Sequence, residues 1–404
     1  MAVAADPLDL SAPELVTDPY PTYAGLRAKG GPQYSEQWDV WLVPGYDHCQ
    51  QVFSSAVNRD SLGQPYLRML QAEVRRGAGS WRVPEAPALP EGYEDQRAAG
   101  RRVNGRALST EFVDTLWPGF AASCRETAAA LAGRGGPVDL VGDYAKPVVT
   151  GLLAGLMGVS PQELPVFSAW VDSGYEQDLD EERRRVVAMD IRRLFAQRAV
   201  DRLREPKDDF LGYLAANPMR EDVKRHLESV LGAALMISMV PHQGLVLSFS
   251  TLANALLTRP DQYALLRKES DLVPRAVEEG LRYDSSTQAL GRLVREEATI
   301  GAARVPAGSL LVLMVGSANR DERQWPDAAT FDVTREQRSA SRHLGFGHGA
   351  TSCLGAAMSR KALTYMLAAL VEAVAEWAPA GPAEAFPEFM TRGFTALPAE
   401  LRRP

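Results

Sequence analysis

Near the C-terminal end, residues 343–355 read HLGFGHGATSCLG, and one of the chain's three cysteines, Cys353, sits there among four glycines. A thiolate serves as a nucleophile or a metal ligand, and either role calls for a depressed pKa. A helix expected from Leu354 onward puts the sulfur at a helix N-terminus, where free N–H groups and the dipole favour negative charge. Glycines let backbone pass close to something large and flat, where a side chain would collide. Phe346, seven residues upstream, would cover that group on the sulfur side. A second pair, Glu279 and Arg282, stands earlier in the chain. At i and i+3 on a helix the two share a face and can form a charged, hydrogen-bonded clamp. A Cys353–His348 hydrolytic dyad is the competing use of the thiol, but neither a third member nor a nucleophile elbow accompanies it. His48 and His226 read as surface or helix-end residues.

The elements that must position these groups are mostly helices. The 404 residues are 46% hydrophobic and 24% charged, a globular composition whose length alone predicts two or three domains. A net charge of −7 speaks against nucleic acid as a partner. The acidic N-terminus has no basic stretch leading into an apolar run, and so does not read as a signal peptide. The most apolar stretch, 230–240, is too short and too soon interrupted by Pro241 to read as a membrane span. Cys49, Cys124 and Cys353 form no CxxC pair, which argues against disulfides and structural zinc and fits a cytoplasmic chain.

Alternation over 38–43 predicts a strand, and residues 60–95, broken by glycine and proline, predict a long surface loop. Helices are expected over 94–108, 180–204 (strongly charged), 221–257 (apolar nearly all round, hence buried), 260–269, 274–283 and 351–377. Strands with a turn at 306–308 are expected within 298–313. No repeat or flexible linker divides the chain.

The stretch from Phe346 to Gly355 resembles the haem-binding loop of the cytochromes P450, FGxGxxxCxG, with every fixed position filled. Glu279-Gly280-Leu281-Arg282 is similar to the family's ExxR pair, and Arg335, four residues after Phe331, matches the arginine that completes its clamp. The resemblance runs over nearly the whole chain. It implies one large domain over 1–404, mainly α with small β-sheets. It also implies haem b held through Cys353, with Phe346, Gly347 and Gly355 shaping the loop. By the same resemblance Arg97, Arg101, Arg292 and His343 would meet the haem propionates, although the first of these is usually histidine. Electrons would come from a ferredoxin and its reductase, docking on Arg102, Arg106, Arg360 and Lys361.

Counting back from Pro260 places Val240-Pro241-His242-Gln243-Gly244 where relatives carry Ala-Gly-x-acid-Thr, the pair that relays protons to iron-bound dioxygen. Gln243 cannot relay a proton as a carboxyl does, and Gly244 offers no side chain. Pro241 predicts a local kink. His242, Gln243 and Gly244 are therefore the residues on which the reaction turns. Substrate walls are expected over 66–94, 240–245, 288–290 and 392–395, with Tyr66, Trp81, Tyr93, Val240, Pro241, Leu245, Gln288, Ala289, Leu290 and Phe394 as contacts. Arg68, Arg75, Arg76 and Arg82 would be solvated or would meet an acidic group. The reading that follows is a tailoring oxidoreductase that couples a small aromatic, indole- or phenol-bearing metabolite, such as a cyclic dipeptide, through a C–C or C–N bond. A monooxygenase hydroxylating a bulky apolar metabolite is the alternative, with ring nitration or a non-catalytic haem sensor behind it.

Overall fold

The computed structural model describes residues 8–55, 57, 63–85, 87–89, 91–109, 111–176, 179–219 and 222–404. Its axis is the helix Val223–Leu257. The Asp222 carboxylate accepts the Arg225 N–H at 2.9 Å and caps the first turn, and the helix runs on through Pro241. Residue 221, the expected start, lies outside the described residues. This is the one helix among them long and apolar enough to cross a membrane, but half of its most apolar window is buried inside the fold. Its flanks pack against Lys146–Leu156, Leu164–Asp172, Glu181–Arg204, Val273–Tyr283 and Ala356–Ala373. Together they form one large apolar core that includes Phe249, Leu252, Leu256, Leu363 and Met366.

Local chemistry accounts for the other helices. Glu181–Arg204 is capped by Asp180 and buries Val187, Ile191, Phe195 and Ala199 at helical spacing, so most of its charged residues face outward as expected, while Arg202 is buried against Asp209. Residues 60–95 depart from the expected loop, since Gly63–Arg75 is helical. Pro65 falls in its first turn, where no N–H is required, and Tyr66, Leu67 and Leu70 bury one face. The last helix is shorter than expected: Gly349–Thr351 is a single 3₁₀ turn, Ala356–Ala373 is the helix, and Trp377 already belongs to the strand Glu376–Pro379.

The main sheet has four strands in the order Gln33–Ser35, Val40–Val43, Leu310–Leu313, Leu290–Leu293. The central pair is parallel, with Val40 opposite Leu310, and the outer pairs are antiparallel. One side of this sheet carries a core with Trp38 and Leu67, and the other a core with Phe53 and Trp325. The strand Leu290–Leu293 delivers Arg292 to the cysteine loop. At Gly291 a Cβ would lie 2.1 Å from the Gly63 carbonyl oxygen, so glycine is required for the helix Gly63–Arg75 to rest on this strand.

Candidate functional site

The cysteine loop closes on itself. Gly347 and Gly349 have φ of +67° and +68°, conformations that a side chain would strain. The Gly347 N–H reaches the Leu344 carbonyl at 2.8 Å, and the Cys353 N–H reaches the Phe346 carbonyl at 2.8 Å. The second bond ties the backbone of Phe346 to that of Cys353, whose thiol is exposed. Burial of the sulfur's surroundings pushes the thiol pKa up, against the Gly355 N–H, Arg101 and Arg360, which pull it down. The expectation of a depressed pKa is therefore corrected. The helix begins at Ala356 rather than Leu354, and the dipole does not outweigh desolvation.

Behind the loop lies the clamp. Glu279 and Arg282 are fully buried. Arg282 Nε and Nη2 donate to the Glu279 carboxylate at 2.8 and 2.7 Å, and its remaining N–H groups reach the carbonyls of Asn319, Ala328 and Thr330. Arg335 adds a third charge on Glu279 at 3.1 Å. The three residues come together as the sequence predicts.

Glu278, which sequence reasoning passed over, forms a second buried network. It pairs with Arg360, whose guanidinium lies 4.7 Å from the Phe346 ring centroid. Burial raises its pKa, but His343 and Arg360 more than offset that and hold the carboxyl below its ordinary value. The consecutive acids Glu278-Glu279 were the available signal, since neighbours on a helix face different directions. His343 lies in the same buried network. Its Nδ1 accepts the Gly345 N–H at 3.1 Å and its Nε2 lies 3.3 Å from Glu278. Nδ1 is thereby engaged inside the loop's support, while the buried Nε2 faces Glu278 without a hydrogen bond. Burial lowers its pKa, the more so because Glu278 only partly compensates.

Three arginines converge on the other side of the loop. Arg101 Nη2 donates to the Ser352 carbonyl at 2.7 Å, and Arg292 Nη2 to Thr351 Oγ1 at 3.2 Å. Arg97 pairs with Glu94 at 3.1 Å, but its buried Nε has no acceptor among the described residues. Burial first, and then the neighbouring Arg97, lowers the Arg101 pKa. Two like charges are held together here with no carboxylate on Arg101. Such a cluster calls for an anionic occupant.

On the long helix, Gly232, Met236, Val240 and Gly244 are exposed at intervals of four, an open stripe on an otherwise buried element. Nothing lies within 4 Å of where a Gly244 Cβ would stand. Gln243 Nε2 is committed to the Gly174 carbonyl at 3.1 Å. His242 does not join the stripe. It is fully buried, with Nε2 at 2.9 Å from Thr150 Oγ1 and Nδ1 at 3.0 Å from Tyr175 OH. Burial, and then Lys146, pushes its pKa down to about 3, so it is a neutral link between helices rather than a proton donor on the open face.

The expected substrate walls divide. Val240 is half exposed and Pro241 partly so. Tyr93 and Trp81 are partly buried, and Trp81 packs on the Trp38 core. Tyr66, Ala289, Leu245 and Phe394 are buried core residues, and Leu290 packs on the Phe53 core. Gln288 is buried, with Nε2 bonded to the Ser285 carbonyl at 2.7 Å. Those four core residues and Gln288 are corrected to structural roles, because each is enclosed by its own core. Arg75 lies 3.7 Å from Glu388, Arg76 pairs with Glu73, and Arg82 donates to the carbonyls of Glu36 and Gln37. Of the expected docking cations, Arg102 and Arg106 are exposed with no ion pair among the described residues. Arg360 is committed to Glu278, and Lys361 sits 4.7 Å from the Trp117 ring centroid.

Residues 261–376, which hold the clamp and the cysteine loop, match the family model described as Cytochrome P450. The chain is 28% identical over 407 residues to the cytochrome P450 monooxygenase PikC of Streptomyces venezuelae, covering 98% of this chain and 94% of that one. It is 29% identical over 360 residues to vitamin D(3) 25-hydroxylase of Pseudonocardia autotrophica, covering 87% and 85%. The fold superimposes on cytochrome P450 CYP109Q5 from Chondromyces apiculatus with a TM-score of 0.82 at 24% identity, covering 98% of each chain.

The chain belongs to the cytochrome P450 family.

It is an oxidoreductase, and the cofactor of a P450 is haem b, its iron held by a cysteine thiolate. The residues present fit that group. An exposed thiol stands in a glycine-rich loop tied by backbone to Phe346, and a cluster of three arginines with a buried, unpaired Nε suits a dianion of the propionate kind.

Proposed function

We propose that this P450 abstracts hydrogen from a bulky secondary metabolite bearing an aromatic N–H or O–H group and joins two of its atoms through a new C–C or C–N bond. In this reading Cys353 holds the iron, and Arg97, Arg101 and Arg292 hold the propionates. Bound haem supplies reductive activation of dioxygen. Two hydrogen atoms leave the substrate, two electrons and two protons come from the redox partner and solvent, and dioxygen leaves as two waters. The observation that carries the proposal is the open stripe of the long helix. Val240 and Gly244 are open, Gln243 is tied to Gly174, and no acid or hydroxyl stands at these positions to relay protons. Val240, Pro241, Tyr93 and Trp81 remain as the wall residues of this substrate, since they keep open surface.

Hydroxylation of a bulky apolar metabolite is the second reading. It is favoured by relatives named 6-deoxyerythronolide B hydroxylase and mycinamicin IV hydroxylase/epoxidase. Turnover under ¹⁸O-labelled dioxygen separates the two. Coupling gives a product two hydrogens lighter than substrate, or a dimer, without label; stoichiometric label in the main product overturns it. Gln243→Glu with Gly244→Thr is expected to divert flux toward hydroxylation or peroxide, whereas a plain rise in the native rate contradicts the coupling reading.

The partner we propose is an acidic ferredoxin, served by its reductase in the cytoplasm. Arg102 and Arg106, at i and i+4 on the helix Tyr93–Ala107, form its exposed cationic patch. Reversing both to Glu is expected to slow reduction about tenfold or more at low salt, with the effect fading as ionic strength rises. An unchanged rate at low salt removes the assignment.

A further inference from the structure

A cavity of about 470 Å³ opens where five distant parts of the chain meet: the start of the helix Tyr20–Lys29, the end of the long helix at Arg259, Tyr283-Asp284, Arg320 and Arg392. The cationic side chains here are not equally paired. Arg392 Nε donates to Asp284 at 2.6 Å and its other nitrogens to the carbonyls of Val16 and Thr17. Arg27 is bonded to Glu322 at 2.6 Å. Asp284 is further occupied by Tyr20 OH at 2.5 Å. Arg259 and Arg320 have no carboxylate among the described residues. Arg259 reaches the Tyr283 hydroxyl at 2.7 Å and the Ala255 carbonyl at 3.0 Å.

Arg320 is the decisive side chain. It is 9% exposed, its guanidinium carbon lies 3.4 Å from the Tyr20 ring centroid and 3.7 Å from that of Tyr283, and Nε donates to the Tyr283 carbonyl at 2.6 Å. Its two terminal nitrogens donate to no described residue. A guanidinium nine-tenths buried without a counter-ion carries a desolvation cost that two aromatic faces offset only in part. A planar fork of free N–H groups facing a cavity matches the oxygens of a phosphate or carboxylate. The location is also unusual in a chain of net charge −7.

We infer that this cavity is an oxyanion site, in which Arg320, supported by Arg259, binds the phosphate or carboxylate of a small molecule. Such a ligand would bridge the N-terminal helix, the end of the long helix and the loop at Arg392. It would therefore stabilise the fold in proportion to its occupancy.

Thermal unfolding of the haem-loaded protein tests this at constant ionic strength in chloride, inorganic phosphate, acetate or phenyl phosphate. We expect phosphate to raise Tm by roughly 2 °C or more over chloride, and the protein to broaden the ³¹P resonance of phosphate. Acetate raising Tm instead assigns the same fork to a carboxylate. A larger rise with phenyl phosphate than with inorganic phosphate places an organic body in the cavity. The increment should vanish in Arg320→Gln and shrink in Arg259→Gln; should the first variant not fold, the second and the ³¹P signal decide. Equal Tm in chloride, phosphate, acetate and phenyl phosphate, or an increment that survives both substitutions, overturns the site.

Discussion

Cys353→His is expected to abolish the long-wavelength absorption band of the reduced carbon-monoxide complex while leaving the protein folded. The loop does not depend on the thiol for its shape. The Cys353–Phe346 bond is made by backbone, and the left-handed turns belong to Gly347 and Gly349. The side chain is exposed, so its replacement removes little core contact and is expected to change stability by less than about 1 kcal/mol. The band requires a thiolate, and no other cysteine can supply one. Cys49 is fully buried, its thiol donates to the Val43 carbonyl at 3.2 Å, and burial raises its pKa far above the ordinary value. Cys124 is likewise buried, which pushes its pKa up to about 12. A band that persists in the variant would mean that the iron is held elsewhere.

The parts of the site that could be read from sequence are those whose chemistry lies in short spacing. Glu279 and Arg282 at i and i+3 share a helix face whatever surrounds them, and Gly347 and Gly349 mark backbone that other residues enter only under strain. Arg101 and Arg292 were legible through the resemblance, and both reach the cysteine loop. What could not be read was direction. His242, Gln243 and Gly244 are consecutive on a helix, so each points about 100° from the last. Only Gly244 joins the open stripe; His242 turns to Thr150 and Tyr175, and Gln243 to Gly174. The surroundings of His343 were hidden for a related reason. Its partner Glu278 is 65 residues earlier, and no local pattern joins them. The walls predicted at Gln288, Ala289 and Phe394 lie on short segments whose two sides face different spaces, and periodicity does not say which side is the core. The helix Gly63–Arg75 was hidden because the breakers from Gly77 to Gly92 were taken to disrupt the whole of 60–95, although all of them lie beyond its last residue.

Arg282→Ala is expected to prevent accumulation of folded, haem-loaded protein. The arginine contacts one carboxylate and three backbone carbonyls, all inside the fold. Breaking a buried ion pair by removing one partner costs about 3–5 kcal/mol, because the remaining charge has lost its counter-ion. The carbonyls of Asn319, Ala328 and Thr330 add roughly 1–3 kcal/mol each wherever water cannot reach them. The sum reaches the whole of a typical domain's stability, about 5–15 kcal/mol. Arg282→Lys should fail almost as badly, since a compact ammonium cannot serve a carboxylate and three carbonyls from one planar fork. Arg335→Ala makes the internal control. Arg335 sits at the edge of the network, its side chain 11% exposed, and Glu279 would keep both Arg282 and the Asp332 N–H at 3.1 Å. That variant is expected to fold, with a lower Tm. Circular dichroism melting and the ratio of haem to protein absorbance report both quantities. If Arg282→Ala melts within a few degrees of the parent and retains its haem, the clamp is not what holds the Phe331–Arg335 segment to the helix Val273–Tyr283.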